Sequence, residues 1–104
     1  MAKIELFKNE ELVLTKTGLL ENEYYIFDNI KYDFQNNILV REDDNFKYCL
    51  DFKENSAEII IKENNYNLDL KINVINILID DNFHEITYNI ESEDVIKNKI
   101  IITR

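Results

Sequence analysis

Apolar and polar residues alternate one for one along most of this chain. Phe46, Tyr48, Leu50 and Phe52 alternate with Lys47, Cys49, Asp51 and Lys53, and Ile30, Tyr32 and Phe34 alternate with Lys31, Asp33 and Gln35. The same rhythm sets Leu68, Leu70, Ile72 and Val74 against Asp69, Lys71 and Asn73, and Ile86, Tyr88 and Ile90 against Thr87, Asn89 and Glu91. Successive side chains leave a β-strand on opposite faces, so a period of two marks strands with one buried and one solvated face. Helical spacing fits none of these windows. The pattern predicts strands over 3–8, 11–17, 23–28, 30–34, 37–42, 46–53, 57–63, 67–74, 75–80, 84–91 and 98–103.

Asn and Asp punctuate these segments at Asp28-Asn29, Asn36-Asn37, Asp43-Asp44-Asn45, Asn64-Asn65 and Asp80-Asp81-Asn82. Both residue types tolerate left-handed backbone and hydrogen-bond their own main chain, so they make tight turns in a chain with one glycine and no proline. Short hairpins imply an antiparallel meander. The apolar parity is even from Leu68 to Val74 and odd from Ile75 to Ile79, which requires an inserted residue or a bend near Val74-Ile75. A β-bulge at a barrel corner is the expectation. The 104 residues make a single all-β domain, residues 1–104, with a closed barrel preferred to a β-sandwich.

Charge narrows the partners. Asp and Glu number 21 against 12 Lys and Arg, a net charge of −9, and the acids run from Glu5 to Asp94 without forming a tail. Phosphate backbones need clustered cations, and Arg41 and Arg104 are the only arginines, so nucleic acid is not an expected partner. The apolar stretches fall far short of the roughly 20 residues of a spanning helix, and an anionic surface is repelled by anionic lipid, so no membrane role is expected. Residues 1–11 carry charges where a secretory signal would be apolar, and the single Cys49 allows no internal disulfide, which together predict a cytoplasmic protein.

Little in the sequence speaks for catalysis. His84 is the only histidine and Cys49 the only thiol, on separate predicted strands, and Cys49 has the parity opposite to Tyr48 and Leu50. Lys16-Thr17-Gly18 matches one element of serine β-lactamases, but Ser56 and Ser92 are the only serines and neither begins a Ser-x-x-Lys. Gly18 is instead expected to supply a positive φ after the strand ending at Thr17. Acidic pairs at Asp43-Asp44 and Asp80-Asp81 lack the ligand spacing of a calcium loop and are expected to be solvated hairpin tips. No cofactor fingerprint, phosphate loop or acid/base pair is present, so the chain is not expected to be an enzyme and needs no cofactor.

The segments Thr15-Lys-Thr-Gly18, Glu23-Tyr-Tyr-Ile-Phe27, Leu68-Asp-Leu-Lys71 and His84-Glu-Ile-Thr-Tyr-Asn-Ile-Glu91 resemble, in their order and hydrophobic pattern, the YwiB-like family of small bacterial proteins of unknown function. The resemblance implies a calycin-like, lipocalin-related antiparallel barrel of about eight strands. It carries over no activity and no functional residues.

Six Tyr and six Phe remain as the main functional clue. Rings fill cores or line ligand sites, and a tyrosine turned inward brings a hydroxyl that needs a partner. The leading expectation is a binding module for a small, partly apolar ligand, with Tyr24, Tyr32, Tyr48 and Tyr88 as candidate lining residues. The alternative is an interaction or structural module acting through its anionic face or a sheet edge, as a homodimer or with another protein.

Overall fold

The computed structural model describes the backbone of residues 1–104 and the side chains of all but Glu93 and Asp94. The described residues form ten antiparallel strands and no helix: β1 (Ala2–Lys8), β2 (Glu11–Glu21), β3 (Tyr24–Phe27), β4 (Ile30–Asp33), β5 (Ile38–Glu42), β6 (Phe46–Asp51), β7 (Ser56–Ile61), β8 (Tyr66–Ile79), β9 (Phe83–Ile90) and β10 (Glu93–Thr103). Every strand pairs with its neighbours in sequence, and β1 pairs with β10 to close the barrel. The resemblance implied about eight strands and the alternation marked eleven segments; ten strands form, with β3 and β4 separate as the alternation marked them. The two strands expected over 67–74 and 75–80 are one continuous β8.

Closure is achieved by two long corner strands. Residues 11–18 of β2 pair with β1, whereas Leu19, Leu20 and Glu21 pair with β3. Residues 66–71 of β8 pair with β7, and from Ile72 onward the strand pairs with β9. The register slips between Val74 and Asn76, so the bulge falls at the parity break legible in the sequence. Beyond it Ile77 and Ile79 lie opposite Ile86 and His84 on the inner face. Each corner strand therefore leaves part of each of its two edges without a strand partner among the described residues.

Turns are made by asparagine and aspartate, as their chemistry requires. Asn22, Asp28, Asn37, Asn55 and Asn65 all adopt φ between 56° and 59° or, for Asn65, 52°. In the two-residue turn between β1 and β2, both Asn9 and Glu10 have positive φ, at 51° and 71°. That pair of values matches the hairpin turn whose twist suits the flanking strands. Asp43 Oδ1 accepts hydrogen bonds from the backbone N–H of Asn45 and Phe46 (2.8 and 2.7 Å), and Asp80 Oδ1 accepts one from Asn82 (3.1 Å). These carboxylates cap their own turns.

The middle of the barrel is solid. Ile4, Phe27, Ile30, Tyr32, Ile86 and Ile102 are wholly buried, joined by Leu39, Leu50, Phe52, Ala57, Ile72, Tyr88 and Ile100. The alternation read from the sequence gives this set almost directly. Asp33 is a buried exception: burial acts to raise its pKa, but hydrogen bonds from the Asn36 side chain and the backbone of Asn36 and Gln35 outweigh it and hold the carboxyl below its usual value.

Gly18 does not have a positive φ. It lies inside β2 opposite Ala2, where the chain crosses β3 so closely that a Cβ would overlap the carbonyl oxygen of Ile26 and come within 2.7 Å of Phe27 Cδ1. The position needs the absence of a side chain, not left-handed backbone. Overpacking against a main-chain atom costs about 1–3 kcal/mol, so Gly18→Ala should lower the melting temperature by roughly 4 °C or more. Thermal unfolding followed by circular dichroism checks this, and an unchanged midpoint would mean that the crossing is looser than described.

Candidate functional site

The filled middle leaves two clefts, one at each end of the barrel. The four candidate tyrosines do not gather in either. Tyr24 lies across from Glu21 on the outer face and is 37% exposed. Tyr32 is wholly buried, and Tyr48 and Tyr88 meet at the end away from it.

At the Tyr32 end, a cleft of about 470 Å³ is lined by Tyr25, Phe34, Ile79, Asp81, His84 and Arg104, among others. His84 comes inward from β9 opposite Ile102 and is 3% exposed. The Tyr32 hydroxyl lies 2.8 Å from its Nδ1. Among the described residues no other acceptor bonds this buried hydroxyl, so its proton goes to Nδ1 and the imidazole carries its own proton on Nε2. No buried side-chain nitrogen or oxygen among the described residues lacks a partner, so Nε2 reaches the solvent of the cleft. The His84 ring packs at 3.7 Å on Phe34, and the Arg104 guanidinium lies 4.6 Å from the same Phe34 ring. Arg104 Nε also donates to the Asp81 carbonyl at 2.6 Å. The cation at this end is already engaged.

Burial, and then the charge of Arg104, lowers the His84 pKa to about 4. Burial, and then the charge of Asp33, raises that of Tyr32. Both groups of the pair are neutral at ordinary pH. Cys49 does not join them: it lies across from Val40 and Glu58 on the face opposite to Tyr48 and Leu50, and burial followed by the Glu58 charge pushes its thiol up. A thiol in that state is a poor nucleophile.

At the other end, a cleft of about 380 Å³ has Leu6, Leu39, Leu50, Ile59 and Ile100 in its walls, with Tyr48, Tyr88, Arg41 and Lys8 among them. The register explains the composition. Arg41 lies between Ile30 and Tyr48 on the inner face, and Tyr88 lies between Val74 and Asn98. Tyr88 is 7% exposed and packs edge-on against Phe52 at 5.0 Å, while Tyr48 stacks on Phe46 at 6.0 Å. Neither hydroxyl is hydrogen-bonded within the described protein, and since none of the described buried oxygens is unsatisfied, both open onto the cleft. Burial raises the Tyr88 pKa, opposed by the charge of Arg41, so the hydroxyl keeps its proton.

Arg41 is the feature that sequence reading missed as a site residue. Its even-odd position beside Val40 places it in phase with Leu39 on the inner face, and that phase was available from the alternation. The chain matches no protein-family model, no curated protein and no solved structure. The YwiB-like resemblance thus rests on the sequence pattern alone.

The His84 pair gives a pH dependence of defined sign. A histidine in the unfolded chain binds its proton near pH 6.5, whereas folded His84 does so only at about 4. Between these values the unfolded chain holds a proton that the fold refuses, so stability falls as pH drops through that window. At about 1.4 kcal/mol per pKa unit, discounted for the solvent at Nε2, the loss is on the order of 2 kcal/mol. His84→Gln keeps a carbonyl acceptor for Tyr32 and removes the titration, so its melting temperature should fall less between about pH 7 and pH 4 than that of the wild type. Equal falls would place the acid sensitivity elsewhere.

Proposed function

We propose that this barrel binds a small, partly apolar molecule in the cleft formed by Tyr48 and Tyr88. One observation carries the reading: a tyrosine hydroxyl on an almost fully buried residue opens, without a protein partner, into a solvent-connected space walled by aliphatic side chains. A hydroxyl held there by a packed ring and satisfied only by solvent is free to exchange that water for a polar group of a ligand, while the aliphatic walls cover its apolar part. The volume of about 380 Å³ lies within the range of small-molecule sites, which begins at about 300 Å³. The cleft at the Tyr32 end is larger, but its Arg104 is already bonded to the Asp81 carbonyl and stacked on Phe34, and its imidazole Nδ1 is already bonded to Tyr32.

The neutral dye N-phenyl-1-naphthylamine tests the reading, since its fluorescence rises in apolar surroundings. It should bind the full chain, and Ile59→Trp, which fills the cleft from β7, should weaken binding at least about tenfold. No enhancement, or enhancement indifferent to Ile59→Trp, would overturn the proposal.

The free half-edge of β8 favours a second reading, association of two copies of the chain. From Asn73 to Ile79 the strand is bonded to β9 on one side only, and residues 74–79 carry no charge. Two such edges can pair antiparallel with no like charges opposed, and Ile75 and Leu78 are each about half exposed there. The corresponding edge of β2 is guarded by Lys16, held to Asp28 at 2.7 Å. Sedimentation velocity should then show a dimer that Leu78→Lys, with Glu85 opposite it on β9, converts to monomer. A monomer at every concentration would contradict this reading.

A further inference from the structure

We infer that the ligand of the Tyr48–Tyr88 cleft is an amphipathic anion, a carboxylate carried on a short apolar body, with Arg41 as its anchor. The inference rests on the binding reading above and goes beyond it in naming the chemistry of the head group.

Four features of the cleft point the same way. Arg41 is half-buried on the inner face, and among the described residues it has no carboxylate within 4 Å and no hydrogen-bond acceptor. The carboxylate that feels its charge is that of Asp43, which is fully exposed and already caps the turn before Phe46. In a chain of net charge −9, a guanidinium turned into the barrel and left unpaired is against the trend of the whole surface. An anion reaching it there would meet a partly desolvated cation with no competing carboxylate.

The second cation, Lys8, lines the same cleft and forms no ion pair among the described residues. No Asp or Glu is among the residues that line it, in contrast to the other end of the barrel, where Glu23, Asp80 and Asp81 would repel an anion. Tyr48 and Tyr88 add two neutral hydroxyl donors aimed into the same space.

The donor set fits a carboxylate. A guanidinium offers two parallel N–H groups to the two oxygens of one planar head group, and phenolic hydroxyls satisfy the remaining lone pairs. Leu6, Leu50 and Ile100 then cover the apolar body. A larger polyanion would leave charge facing these aliphatic walls.

A matched pair of probes tests this: 4-phenylbutyrate and 4-phenylbutan-1-ol, which share the apolar body and differ in the head group. Each is titrated into the ¹⁵N-labelled full chain while the amide signals of Arg41, Tyr48 and Tyr88 are followed. The acid should bind at least about tenfold more tightly than the alcohol. Arg41→Gln should abolish that difference by weakening the acid far more than the alcohol, and should not lower the melting temperature, because Arg41 makes no hydrogen bond or ion pair among the described residues. Inorganic phosphate at equal concentration should shift these signals less than the acid does. Equal affinity of acid and alcohol would overturn the anion inference and leave the cleft reading standing. Failure of both probes to bind would remove both. A preference for the acid that survives Arg41→Gln would also overturn the assignment, by moving the anchor to another cation.

Discussion

Closure of the barrel depends on β1 being paired along both edges. Ile4 lies opposite Ile102 on one side and Lys16 on the other, and Leu6 lies opposite Ile100 and Leu14. Every other strand pairing joins neighbours in sequence through a short turn. The β1–β10 ladder joins segments from opposite ends of the sequence, so its loop-closure entropy is the largest of any single strand pairing. What offsets that entropy is the solid middle, where Ile4, Ile86, Ile100 and Ile102 share one interior with Phe27, Ile30 and Tyr32. Without the ladder the meander would be an open sheet with its apolar face in water.

The same constraint shapes the two ends. Aromatic and branched side chains from ten strands meet in the centre and exclude solvent there, so polar groups on the inner face can be accommodated only near the rims. At one rim the polar groups satisfy each other: Tyr32 with His84, Arg104 with Asp81 and the Phe34 ring. At the other rim Arg41, Tyr48 and Tyr88 do not. The asymmetry between a rim whose hydrogen bonds are made and one whose donors are idle is the physical basis for proposing binding at the second.

Much of the fold was legible in the alternation. The inward sets Ile30-Tyr32, Leu50-Phe52 and Ile86-Tyr88 are buried as their parity requires, and the parity break at Val74-Ile75 marks the observed bulge. Three things were not legible. The turn at Asn9-Glu10 uses a glutamate at positive φ, a residue type with no preference for that conformation. Gly18 was read through its usual backbone role, whereas its reason is the crossing of β3, a tertiary approach that no local pattern records. The site was read from tyrosines alone: Tyr48 and Tyr88 do share a cleft, but Tyr24 faces outward because the parity of β3 places Tyr25 and Phe27 inside. Arg41 was passed over because charge on an inner face runs against the period-two rule, and such a departure from the rule is where a site should be sought.

The central claim is that alternating side chains from all ten strands share one interior closed by β1 and β10. Nuclear Overhauser contacts in the full-length protein in solution measure it most directly. The account predicts that the β1 backbone shows cross-strand contacts to both sides at once, Ile4 to Ile102 and Ile4 to Lys16, with side-chain contacts from Ile4 to Phe27 within the same core. Contacts from β1 to β2 alone, with β10 free, would describe an open sheet and contradict the closed interior and both of its end clefts.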